Sequence, residues 1–191
     1  MSDIAPSLCG LVLAAGAGTR FGGPKALAVS DDGTPWIAHA VQVLTDAGCR
    51  RVVVALGAAA AEAGALVPPH AETVVVADWA EGLSATLRLG LRTAVVRRPD
   101  AVLVVPVDTP GMPVSAVQRV IEAVSAPWAD VLAQAVYRGE PGHPVLIGAD
   151  HVEPLAASLS GDRGARAYLT THGALEVECG DLWSGADIDT R

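Results

Sequence analysis

The segment Leu11 to Lys25, LVLAAGAGTRFGGPK, constrains this chain most: an aliphatic run ends abruptly in small residues and gives way to glycines, an arginine and a lysine. Cys9 to Ala14 has the length and aliphatic content of a buried strand. Gly16, Gly18, Gly22 and Gly23 remove the side chains that would keep backbone amides away from an anion. Arg20 and Lys25 place two fixed cations in the same loop, where a triphosphate needs its charge neutralised as its α-phosphorus is attacked. Lys25 is the sole lysine of a chain with 13 lysines and arginines together. An ammonium kept here alone suits a point-charge role that a guanidinium fork would not fill. The competing reading is a solvated glycine loop with incidental charges.

Two other phosphate loops fit poorly. A dinucleotide loop needs G-x-G-x-x-G with an acidic residue at the end of the second strand. Gly16 and Gly18 match, but Gly22 comes one position late and the next strand, Arg51 to Leu56, ends in Gly57. A P-loop needs G-x-x-x-x-G-K-[ST]. Gly18 and Gly23 have that spacing, yet Pro24 separates Gly23 from Lys25, and Ala26 offers no hydroxyl to a metal.

At 191 residues and 51% hydrophobic content the chain has enough material for one well-cored α/β domain spanning residues 1–191. Aromatics are only 4%, and the single phenylalanine, Phe21, lies in the loop, so no base-stacking platform is expected. A formal net charge of −8 disfavours long nucleic acid and anionic membranes as partners. An anionic small ligand then requires local cations or a metal. Cys9, Cys49 and Cys179 are distant and odd in number, which points to buried reduced thiols rather than a disulfide framework or zinc cluster. The apolar run Val52 to Ala61 is broken by Gly57 and too short to span a bilayer, and the start of the chain lacks a basic leader, so a cytoplasmic protein is expected.

Strands are expected at Arg51 to Leu56, Thr73 to Val76, Ala101 to Val107, Val131 to Tyr137, Val145 to Ile147 and Leu175 to Val177. Helical patterns open at Thr34-Pro35 and cover Ala58 to Leu66, the stretch from Leu83 to about Arg98, Pro113 to Val124, Val152 to Leu159 and Ala165 to Thr171. Ala101 to Val107 reads as a central strand that delivers Asp108 to its C-terminal edge, where open α/β sheets bind ligands. Asp108 is therefore read as a metal ligand sharing a crevice with the glycine loop, the alternative being a cap for the helix that follows. Arg138 to Pro144 reads as too long and proline-rich for a tight hairpin, and as a loop able to cover a ligand.

Taken in order, LAAGAGTRFGGPK at 13–25, DWAEGLSATLRLGL at 78–91, VPVDTPGMP at 105–113, GEPGHPVLIG at 139–148, GDRGARAYL at 161–169 and DIDT at 187–190 resemble the MobA-like NTP transferases. Within that family the resemblance is strongest to molybdenum cofactor (molybdopterin) cytidylyltransferases. It implies a three-layer α/β/α sandwich around a mostly parallel, Rossmann-like sheet of the nucleotide-diphospho-sugar transferase type. The nucleotide would lie over the N-terminal half and the acceptor over the C-terminal half. The implied nucleotide-binding residues are Leu13, Ala14, Ala15, Gly16, Ala17, Gly18, Gly82 and Ser84, with Arg20, Lys25 and Asp108 as the catalytic set. Asp108 and Asp189 would hold Mg2+. Ala15 accompanies cytidylyl transfer in the family, where guanylyl transferases tend to have glycine, so CTP is the implied donor.

The implied reaction moves CMP to the terminal phosphate of molybdopterin and releases pyrophosphate, with a molybdoenzyme as the recipient of the product. His143 is balanced between a structural role and acceptor contact, whereas Arg166 favours acceptor binding over a bland surface position. Phosphate attack on phosphorus needs no covalent intermediate, so positioning and charge would carry catalysis. The alternatives are transfer to a sugar phosphate or another phosphorylated metabolite, guanylyl transfer from GTP, and a cofactor-insertion chaperone that retains the fold without turnover.

Overall fold

In the computed structural model, which describes residues 5–190, the strongest aliphatic runs become the centre of one sheet. β1 (Leu8–Ala14) pairs in parallel with β2 (Arg51–Leu56) on one side and β4 (Ala101–Pro106) on the other. β3 (Glu72–Val75) adds to β2 in parallel at the edge of the sheet, and none of its four residues is fully buried. Beyond β4 lie β6 (Glu140–Gly148), β5 (Leu132–Tyr137) and β7 (Leu175–Glu178), giving the order β3-β2-β1-β4-β6-β5-β7. Only β6 runs against the rest. This is the mostly parallel sheet expected from sequence.

Alternation along each strand feeds two cores, one per face. Val12, Val54, Leu103 and Leu146 pack on one face against α1 (Trp36–Asp46) and α4 (Val114–Glu122) through Ile37, Val41, Leu44, Val117 and Val120. Their neighbours Leu11, Val53, Val102 and Ile147 pack on the other face against α3 (Leu83–Ala94), α5 (Ala149–Ser158) and α6 (Arg166–Thr171). A short helix, α2 (Ala60–Gly64), follows β2 and adds Ala63 to the first core. The result is a three-layer α/β/α sandwich. The three cysteines are buried and free, with burial pushing the Cys9 thiol up to about 11 and that of Cys49 up to about 12. Among the described residues, no helix is long and apolar enough to cross a membrane.

One expectation is corrected. Residues 138–144 do not form a long covering loop, because β5 and β6 are joined by a two-residue turn, Arg138-Gly139. Both turn residues have positive φ, 57° and 80°, the conformation whose twist suits a tight hairpin. Pro141 and Pro144 survive inside β6 because β4 pairs with that strand only from Val145 onward, leaving one side of residues 140–144 without a ladder to break. A register shift between Gln134 and Val136 absorbs the irregularity.

Close packing between sheet and helix rests on a glycine. A Cβ built on Gly90 of α3 would lie 2.8 Å from a δ-carbon of Leu11, which is fully buried in the middle of β1. Gly90→Val should lower stability by about 1–3 kcal/mol in urea titration, although valine is the better helix former. An unchanged midpoint would show that β1 and α3 can separate without cost.

Candidate functional site

The sheet order reverses between β1 and β4, and both strands deliver loops at their C-terminal ends into the same crevice. A cavity of about 450 Å3 lies there, walled by Leu13 to Gly18 after β1, by Pro106 to Asp108 after β4 and by Gly82, Leu83 and Thr86 at the start of α3. The loop holds its shape through local bonds. Gly18 has φ +60°, its carbonyl accepts from the N–H groups of Phe21 and Gly23 at 3.0 and 3.1 Å, and a Cβ there would meet the Gly23 oxygen at 2.0 Å. Phe21 anchors the loop in the core, its ring 5.4 Å from that of Trp36. The isolated phenylalanine of the sequence is thus the loop's apolar foot.

Lys25 begins a short 3-10 turn and points its ammonium between two carboxylates, donating to Asp108 Oδ2 at 2.8 Å and Asp189 Oδ1 at 2.7 Å. Burial works against its charge, but the hydrogen bonds to both carboxylates outweigh it and hold its pKa above the ordinary lysine value. Asp189 is held below the usual carboxylate range by the Lys25 hydrogen bond and charge, with a smaller contribution from Arg20. Asp108 does not cap the helix after it: Pro113 occupies that position in α4.

The segment carrying Asp189 is fixed by the Ile188 N–H, which donates to the Asp108 carbonyl at 3.0 Å. That bond also brings in Asp187, which sequence reasoning missed. One ligand oxygen each from Asp108, Asp187 and Asp189 lie within 4.8 Å of one another. An all-oxygen, all-anionic set of this spacing fits a hard divalent cation such as Mg2+ or Mn2+. The D-x-D spacing of DIDT was the signal available in the sequence.

The remaining expected residues divide. Arg20 is 80% exposed, does not line the cavity, and reaches Asp189 only at 3.6 Å. Ser84 is buried and also outside the lining, while Thr86, two residues further along α3, is on the wall. The 78–91 and 161–169 motifs meet where the Ser84 N–H donates to the Gly161 carbonyl at 3.1 Å. Gly82 has φ +113°, and a Cβ on it would lie 2.3 Å from Asp162 Oδ1, which places Asp162 on the cavity wall as well.

A second, smaller cavity of about 190 Å3 adjoins the first and shares Leu13, Leu83 and His143 with it. Arg166 and Gln134 line its far side. His143 stands at the junction as a strand residue of β6, not a loop residue, and its carbonyl accepts from the Tyr137 hydroxyl at 2.6 Å. Tyr137 is itself wedged edge-on against Trp183. Burial pushes the His143 imidazole down to about 4, partly offset by the Asp108 and Asp187 charges, so it is neutral at physiological pH. As pH falls from 6.5 towards 4, the unfolded chain takes up a proton at this residue that the folded chain refuses, and stability falls in that window. His143→Asn should flatten this part of the stability profile, measured as urea midpoints at steps of pH; an unaltered slope would place the acid sensitivity elsewhere.

Residues 10–177 match the MobA-like NTP transferase domain. Curated relatives include a nicotine blue oxidoreductase of Paenarthrobacter nicotinovorans, 35% identical over 97% of this chain and 93% of that protein. A molybdenum cofactor guanylyltransferase of Burkholderia cenocepacia is 34% identical over 92% of this chain and 88% of its own length. Among solved structures, Rv0371c of Mycobacterium tuberculosis superposes with a TM-score of 0.81 at 27% identity, covering 98% of this chain and 95% of that one. A complex of the same mycobacterial protein with manganese gives 0.74 at 25% identity, covering 91% and 88%. Family match, whole-length relatives and superposition agree with the loop, the switch-point cavity and the carboxylate set: the chain belongs to the MobA-like NTP transferase family and is a nucleotidyltransferase.

Proposed function

We propose that the whole chain works as one domain that transfers CMP from CTP to the terminal phosphate of molybdopterin or its molybdenum-loaded form, releasing pyrophosphate. The observation that carries this reading is the convergence of Lys25, Asp108, Asp187 and Asp189 at the mouth of the cavity walled by residues 13–18. In this reading the backbone of residues 13–18 holds the base and triphosphate, and Gly82 and Thr86 bound the ribose side. Lys25 meets the phosphates, and Arg20, solvent-exposed at the rim, adds charge there. Asp108, Asp187 and Asp189 hold Mg2+, which supplies charge neutralisation on the triphosphate oxygens when bound. The nucleophile is already an anion and pyrophosphate leaves readily, so the residues act by alignment and by offsetting repulsion between anions. Neutral His143, between the two cavities, separates donor from acceptor without adding charge, and Arg166 faces the acceptor's phosphate from the second cavity. The manganese bound by the mycobacterial relative supports a divalent ion here.

The choice of CTP rests on Ala15. Ala15 belongs to the cavity lining but is buried, its methyl directed at Gly57, which has no room for a side chain against either Ala15 or Trp79. The guanylyltransferase relatives make GTP the rival donor. The oxidoreductase relative supports a second reading, an oxidation–reduction by hydride transfer. A set of three carboxylates around a lysine weighs against it, because hydride transfer has no need of a metal-sized anionic cluster.

The deciding experiment measures pyrophosphate release with Mg2+, each of the four NTPs and molybdopterin, beside a parallel assay of NADH and NADPH oxidation. Release with CTP alone is expected. Release with GTP in its place would overturn the base assignment, and nicotinamide oxidation without release would overturn the transfer reading. Asp108→Ala and Lys25→Ala should each lower kcat by about a hundredfold or more, and Asp187→Asn should raise the Mg2+ concentration needed for half-maximal rate. Wild-type metal dependence in Asp187→Asn would remove that residue from the metal set.

A further inference from the structure

The ammonium of Lys25 sits where the carboxylates would need a metal. Its nitrogen is 2.8 Å from Asp108 and 2.7 Å from Asp189, and oxygens of these two residues and Asp187 lie within 4.8 Å of one another. Magnesium bonds to oxygen are about 2.0–2.1 Å long, so an ion held by the same two oxygens would lie within about 5 Å of an ammonium left in place. Two cations at such a separation repel, in a site where Lys25 is only 15% exposed and Asp108 only 20%.

We infer that Lys25 and the divalent cation are alternative occupants of one carboxylate set, so that metal entry expels the lysine toward the triphosphate and nucleotide entry draws it off the carboxylates. The lysine stem has the reach for this exchange, since Lys25 also lines the cavity walled by residues 13–18. The carboxylate cluster thereby keeps a cation among its oxygens whichever of the two is present. Free metal must compete with a tethered ammonium and binds weakly; with the triphosphate present that competitor has another anion to meet. By linkage, nucleotide then raises metal affinity by the same factor that metal raises nucleotide affinity. The inference uses the metal assignment of the proposed function but neither the identity of the base nor that of the acceptor.

The test reads binding of Mn2+ to the full chain without acceptor, by the electron paramagnetic resonance signal of the free ion, with and without CTP or GTP. Without nucleotide, Lys25→Met should bind Mn2+ about ten- to a hundredfold more tightly than wild type. Arg20→Met is the control for simple loss of positive charge, and it should change affinity little because its contact is long and exposed. Nucleotide should tighten Mn2+ binding to wild type by a larger factor than to Lys25→Met. Equal or weaker Mn2+ binding by Lys25→Met overturns the exchange, as does an equal gain in Arg20→Met. Circular dichroism establishes that each variant is folded, and Lys25→Gln replaces Lys25→Met if the latter is not. A chain that shows this pattern yet releases no pyrophosphate would sink the proposed reaction and leave the exchange standing, while turnover without the pattern would do the reverse.

Discussion

Parallel pairing of β1 with β4 is the constraint on which the site depends. The register sets Leu13 opposite Pro106, and the Val107 N–H donates to the Leu13 carbonyl at 3.0 Å, so the two strands end together. Everything chemical follows within a few residues of that line: the glycine loop from one strand, Asp108 from the other. Because helices from both faces cover these strands, their side chains have no freedom to shift register without moving apolar groups into water. Rigidity in the sheet is thereby transmitted to a loop whose own residues are mostly too small to pack.

Charge is handled with similar economy. The chain carries a formal net charge of −8, yet its cavity must accept a polyanion in the proposed reaction. Arginines elsewhere are engaged in structural work: Arg51 joins β2 to β3 through Glu72 at 2.7 Å and also donates to the carbonyls of Thr93 and Ala94 at the end of α3. Arg88 ties α3 to carbonyls of α5 and the residue after it. In the proposed reaction, attraction at the site is left to one ammonium, Arg20 at the rim, Arg166 in the second cavity, the backbone amides and whatever cation the carboxylates hold.

Much of this was legible in the sequence because the signals were local. Aliphatic runs bounded by glycine and proline gave all seven strands, and the Asp at the end of the most apolar run lay where a parallel sheet exposes its strand ends. What was illegible depends on contacts between distant segments. The hairpin at Arg138-Gly139 was hidden by Pro141 and Pro144, whose tolerance depends on β4 stopping its pairing at Val145, a fact no window of β6 contains. Asp187 was passed over because only the Ile188–Asp108 bond shows that both acids of DIDT turn toward the same point. Thr86 and Ser84 exchanged places because helix phase, not motif membership, decides which residue of α3 faces the cavity.

The sole lysine has one further meaning. Apart from the α-amino group, the only primary amine in the chain is at the centre of the site. Amine-directed chemistry, whether reductive methylation or acylation, therefore addresses one ε-amine rather than a scatter of surface positions. An isotope-labelled methyl group on Lys25 would give a single resonance that reports whether the nitrogen faces carboxylates or phosphates. A chain that builds its surface from arginine has, as a by-product, left its site spectroscopically unique.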